Sequence, residues 1–155
     1  MKKFILFIVL ILGFISENKA QFPASSEIYY YLCVANTDGS SVGYSYIVKF
    51  YSNSIKRNYI SKYEYEENKI NDCIREMETH KPYSYDSSES TSKYVAYSTI
   101  YNNGDGYWLF FSKDRSEMIH VKFFKYTSLT VKYYFKRVTK QDLINKNKPN
   151  FDFLE

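Results

Sequence analysis

Four side chains carry most of the chemistry this sequence has to offer: His80 and His120, the only histidines, and Cys33 and Cys73, the only cysteines. Together they have the composition of a two-Cys, two-His zinc set, but none stands at a recognised ligand spacing from another. The same shortage argues against nucleophilic hydrolysis. No GxSxG run occurs, and no serine or cysteine has a histidine close by in sequence. Nucleophile and base often lie far apart in a chain, so a small hydrolase using His120 or dispersed carboxylates stays as the alternative reading. Asp38-Gly39 and Asn102-Asn103-Gly104-Asp105-Gly106 offer oxygen ligands, but the ordered carboxylates of a calcium loop, closing on Glu, are missing. Both segments read as turns. The acidic cluster Glu64, Glu66, Glu67 and the basic residues Lys140, Lys146, Lys148 read as solvated faces. No metal or cofactor is implied.

Aromatic rings raise a binding reading. The chain has 18 tyrosines, each with an apolar body and a polar tip. Tyr29, Tyr31, Tyr97, Tyr101 and Tyr134 fall on the less apolar faces of their strands. A row of such rings would stack on sugars or anchor a protein partner. The alternative is cross-strand tyrosine pairing that serves only the sheet.

These residues must be positioned by β structure. KYVAYSTIY, YWLFFS, MIHVKFF and LTVKYYFKRV, between Lys93 and Val138, alternate in the manner of strands and are parted by short turns. Upstream, Glu27 to Val34 alternates, with Ile28, Tyr30, Leu32 and Val34 assigned to the core face. Further strands are expected from Gly43 to about Ser52 and from Arg57 to Tyr65. Tyr107 to Phe111 is apolar on both faces, which implies a central strand or one covered by a helix, with Trp108 in or near the core. From Asn68 the period changes. Ile70, Cys73, Ile74 and Met77 mark the apolar stripe of a helix with Asn68 as N-cap, and Pro82 discourages its continuation. Residues 83–92 read as a mobile polar loop, and 139–155 as a C-terminal tail with a short helix capped by Thr139. The expected fold is an all-β antiparallel meander of six or seven strands, forming a small barrel or sandwich with one short helix packed on it.

At the N-terminus, Met1-Lys2-Lys3, an apolar run from Phe4 to Ile15 and a polar stretch to Ala20 have the three parts of a secretory signal peptide. Cleavage after Ala20 is expected, leaving residues 21–155 as one domain in the periplasm or outside the cell. The formal charge of +4 then falls to about +2, too little to steer the protein to nucleic acid or an anionic membrane. Export permits oxidation, so a Cys33–Cys73 disulfide and two separately buried thiols are both open.

Ala20-Gln21, Tyr29-Tyr30-Tyr31, the run from Phe111 to Met118 and Tyr133-Tyr134-Phe135-Lys136-Arg137 give the chain a look that resembles small secreted all-β proteins of Bacteroidetes-type bacteria. The resemblance implies the β fold and carries no catalytic or binding residue over to this sequence. The helix from Asn68 departs from the shorter connection that the resemblance implies. The functional expectation is an exported, non-enzymatic module that binds a glycan, a small ligand or an envelope protein. An outer-membrane β-barrel is a further alternative, since tyrosine-rich alternation suits that class too.

Overall fold

The computed structural model describes residues 21–40 and 42–146. The expected signal segment and the end of the tail, with Phe151 and Phe153, lie outside the described residues. Eight antiparallel strands follow one another in sequence order and close into a barrel. They are β1 (Ile28–Asn36), β2 (Ser45–Phe50), β3 (Ser54–Ile60), β4 (Tyr83–Asp86), β5 (Tyr94–Ile100), β6 (Gly106–Ser112), β7 (Glu117–Phe124) and β8 (Leu129–Val138). Helix α1 (Glu67–Met77) joins β3 to β4, and α2 (Lys140–Lys146) follows β8. The eighth strand beyond the six or seven expected is β4. Its sequence, YSYD, opens the serine-rich stretch that reads as loop, yet Tyr83 is buried and Tyr85 packs against the barrel core.

Eight strands leave an interior just wide enough to be filled by side chains, and aromatic rings fill this one. Tyr29, Tyr31, Tyr46, Phe50, Tyr97, Phe111 and Phe135 point inward. Phe50 and Phe111 meet edge to face with ring centroids 5.1 Å apart, and Tyr46 stacks on Phe135 at 5.0 Å. Phenol hydroxyls sunk in such a core need partners. Tyr31 donates to the Arg115 carbonyl at 2.9 Å, and Tyr97 accepts from the Phe22 N–H at 3.3 Å. That end of the barrel is stoppered by Arg115, whose guanidinium lies over the rings of Phe22 and Phe50, 4.5 and 4.6 Å from their centroids.

The phase of β1 corrects the expected core face. Tyr29, Tyr31 and Cys33 enter the barrel, while Ile28, Tyr30 and Leu32 face a second apolar layer outside it, formed with Ile70, Met77 and Leu143 of the two helices. Val34 is exposed. Both faces of β1 are therefore apolar, and alternation alone does not say which is inside. Helix α1 packs on β3 and β2, with Ile70 and Met77 buried along its apolar stripe. Its N-cap is Glu66, two residues before Asn68, and makes no side-chain capping bond. Helix α2 has its cap as expected. Thr139 and Asp142 exchange bonds, with the Thr139 N–H donating to Asp142 Oδ2 at 2.8 Å and the Asp142 N–H to Thr139 Oγ1 at 3.1 Å.

Cys33 and Cys73 are free thiols. One belongs to the barrel interior and the other to the layer beneath α1. The wall of the sheet stands between them, so the disulfide left open by the sequence does not form in this fold.

Candidate functional site

Helix α1 covers β2 and β3, and among the described residues neither helix contributes to a groove on the outer face of β5 to β8. The strand register sets two rows of side chains there: Trp108, Val121 and Lys132 in one, and Phe110, Ile119 and Tyr134 in the next. Phe123 and Thr130 stand beyond the first row, and Tyr94 lies on the far side of the second. Trp108, expected in or near the core, is half-buried on this outer face because Tyr107, Leu109 and Phe111 take the inward positions of β6. Gly106 makes room for the indole. A Cβ at that position would come within 2.3 Å of Trp108 Cη2.

The connection between β4 and β5 forms one wall of this face. Asp86 Oδ1 accepts from Ser88 Oγ at 2.6 Å and from the N–H groups of Ser88 and Glu89 at 3.2 Å each. Burial opposes the charge on Asp86, but these bonds and one from Ser98 hold its carboxyl below the usual range. Ser90, itself buried, donates to the Asp86 carbonyl at 2.7 Å and accepts from the Ala96 N–H at 2.9 Å. The stretch read from sequence as a loop is thereby pinned to β5. Glu89 and Thr91 stand at the groove as a result. The groove encloses about 520 Å³ between Glu89, Thr91, Tyr94, Trp108, Phe110, Ile119, Val121, Phe123, Thr130, Lys132 and Tyr134, within the usual size range of ligand sites.

The five tyrosines singled out in the sequence are not brought together. Tyr29, Tyr31 and Tyr97 are inside the barrel, with exposures of 5%, 0% and 0%. Tyr134 is exposed and lines the outer groove. Tyr101 is exposed at a different place, a cleft of about 180 Å³ shared with Arg57, His80, Lys81 and Tyr83. Sequence reading missed Trp108 and Phe110 as groove residues. The available signal was that Tyr107 to Phe111 is apolar on both faces while only one can face the interior.

A larger groove of about 580 Å³ runs between Glu27, Tyr30, Asp114, Arg137 and Asp142. Its charges largely satisfy one another. Arg137 pairs with Glu27 at 2.8 Å, Asp142 caps α2, and Asp114 accepts from Ser112 and Ser116, bonds that hold its carboxyl down to about 2. It presents few unused groups to a ligand.

Among the described residues, neither histidine is hydrogen-bonded to a serine or a cysteine. His80 Nδ1 lies 2.9 Å from the Arg57 carbonyl and donates to it. His120 is fully buried in the barrel, with Nδ1 3.2 Å from the Tyr46 hydroxyl. Its Nε2 is the one buried side-chain nitrogen or oxygen without a hydrogen-bond partner among the described residues. Burial, with the nearby charges of Arg57 and Lys122, drives its pKa well below the ordinary value, so the ring is neutral. Burial and Arg57 also push Lys122 down. At the rim, Tyr133 donates to Asp38 Oδ2 at 2.6 Å. Bonds from Ser40 and Tyr133 hold that carboxyl at about 2, while burial and the same bond raise the phenol to about 12.

Among the described residues, no group of three or more His, Cys, Asp or Glu side chains is placed to hold a metal ion. Nor is any helix there long and apolar enough to cross a membrane. No family model, no curated protein and no solved structure matches this chain.

Proposed function

We propose that the protein is a binding module that takes a glycan in the aromatic groove on the outside of β5 to β8. The carrying observation is that Trp108, Phe110, Tyr94 and Tyr134 line one groove on a sheet face, to which no helix among the described residues contributes. A sugar ring has an apolar C–H face that packs on an aromatic plane and a rim of hydroxyls that needs hydrogen-bonding partners. The groove supplies rings at its floor, and Glu89, Thr91, Thr130 and Lys132 around them. An apolar floor with a few polar groups that fix orientation is the usual build of a small-molecule site. The barrel interior is filled by the aromatic core. The signal-like residues 1–20 support export, where such a module would meet envelope or extracellular glycans.

In strand number the fold matches the smallest outer-membrane barrels. Two features favour a barrel in water. Six of the eight strands have eight residues or fewer, against the 9 to 11 that a spanning strand requires. The outer face also carries Lys49, Lys56, Asp86, Lys132 and Lys136, which break any continuous apolar band.

Trp108 is the only tryptophan, so its fluorescence reports on the groove directly. Titration with a panel of envelope and extracellular oligosaccharides should give a saturable change in emission with at least one of them. Trp108→Ala, followed by calorimetry, should weaken that glycan at least tenfold while leaving the unfolding midpoint within a few degrees. A panel with no response, or an affinity indifferent to Trp108→Ala, refutes the reading.

A further inference from the structure

We infer that the cleft formed by Arg57, Lys81, His80, Tyr83 and Tyr101 is a second site, separate from the outer groove, which binds a small oxyanion of the phosphate or carboxylate type. The cleft exists because β4 is short. Only Ser54 and Ile55 of β3 pair with it, opposite Ser84 and Tyr83. Past Ile55 the two strands part, and the chain between α1 and β4 enters the gap. His80 fills one missing rung by donating to the Arg57 carbonyl.

The Arg57 side chain turns into this gap. Its guanidinium carbon lies 4.2 Å from the centroid of the Tyr46 ring and 5.2 Å from that of Tyr83. Its Nε donates to the Tyr83 hydroxyl at 2.9 Å. Two aromatic faces and one bond hold the fork in place, yet among the described residues no carboxylate meets it. None of the five residues lining the cleft is acidic, and no ion pair among the described residues involves any of them. Elsewhere the pattern differs: Arg137 pairs with Glu27, Arg75 with Asp72, and Lys49 and Lys56 share Glu78. Arg115 also has no ion pair among the described residues, but it stoppers the far end of the barrel by packing over Phe22 and Phe50.

A cation withdrawn partly from water and left without a counter-charge costs stability unless something compensates it. Lys81 brings a second positive charge to the same cleft. Its ammonium is tethered by a 3.1 Å bond to the Ile100 carbonyl and stands 5.6 Å from the Tyr101 ring centroid. The layer below adds no negative charge either. The other edge of Tyr46 meets neutral His120, whose Nε2 is unpartnered. A preset guanidinium fork beside an ammonium is the pairing that takes oxyanions, the fork supplying direction and the ammonium a point charge. At about 180 Å³ the cleft has room for such a group and little more.

The test is calorimetric titration of the protein with inorganic phosphate and, separately, with acetate, each against sodium chloride at matched ionic strength. Saturable binding of at least one of the two is expected, and the stronger one identifies the class of oxyanion. Arg57→Gln should weaken it at least tenfold and Lys81→Gln several-fold, while Trp108→Ala leaves it unchanged. Arg57 is packed between two rings; if its replacement unfolds the barrel, Lys81→Gln, at an exposed residue, decides the matter. Absence of saturable binding by both ions, or binding that Lys81→Gln leaves intact, overturns the proposal.

Discussion

The indole of Trp108 lies across Gly106 so closely that a single methyl group there would stand 2.3 Å from Cη2 and 2.5 Å from Cζ3. The absence of a side chain at one position of β6 thus sets where the largest ring of the groove rests. Gly106→Ala should push the indole out of the groove. Overpacking of this kind costs about 1–3 kcal/mol, less where the ring swings freely into water. The expected outcome is a red shift in emission, a lower denaturation midpoint and weaker glycan binding than wild type. Unchanged emission would mean that the indole does not rest on Gly106 in solution.

His120 gives stability a pH dependence of fixed sign. Its folded pKa is depressed by burial, Arg57 and Lys122, whereas in the unfolded chain it takes its ordinary value of about 6.5. Below that pH the unfolded state binds a proton that the native state refuses, so stability is lost as pH falls, by up to about 1.4 kcal/mol per unit. The carboxylates held low, Asp38, Asp114 and Glu78, act in the same direction, but only from about pH 4 downward. Urea denaturation between pH 7 and 5 should therefore show a slope that is absent in His120→Phe. A slope that survives in His120→Phe would assign it to another group.

The two thiols lie on opposite sides of the β wall, and each is free. Dithiothreitol should leave the unfolding midpoint unchanged. A maleimide should modify half-buried Cys73 in the native protein, and Cys33, at 1% exposure, only as the barrel opens. A midpoint that drops on reduction would mean that the cysteines are bonded and the arrangement of the barrel wall is wrong.

How far the sequence reaches is best seen strand by strand. β5 to β8 are legible because period-two alternation between Gly- and Asp-rich turns has no helical counterpart. The α1 stripe is legible for the same reason at another period. β4 is not, since four residues among serines carry too little pattern and are held by register with β3 and β5. The inward phase of β1 is not legible either, because tyrosine is as much at home in a packed barrel as at its rim, and α1 and α2 make the outer face apolar too. The groove fails for a related reason. Trp108 and Phe110 announce a second apolar face on β6, but whether that face is covered depends on where α1 docks, a long-range outcome that no local spacing encodes. Arg57 reads as an ordinary strand residue, because nothing in its local sequence signals that β3 and β4 part beside it.

The seam of the barrel has a consequence for how the chain is made. β1 pairs with β8, Tyr30 opposite Val138 and Cys33 opposite Phe135, so residues about a hundred apart in sequence must meet. A chain emerging from its N-terminus presents β1 early, with one hydrogen-bonding edge bare and apolar side chains on both faces, long before its partner has been synthesised. Loop closure over that span adds only slowly to the entropic cost, but the delay itself leaves a ready template for pairing with another chain. Closure then removes both remaining edges of the sheet in one event. A nascent chain stalled or cleaved before residue 129 should accordingly aggregate as an open sheet rather than persist as a smaller barrel.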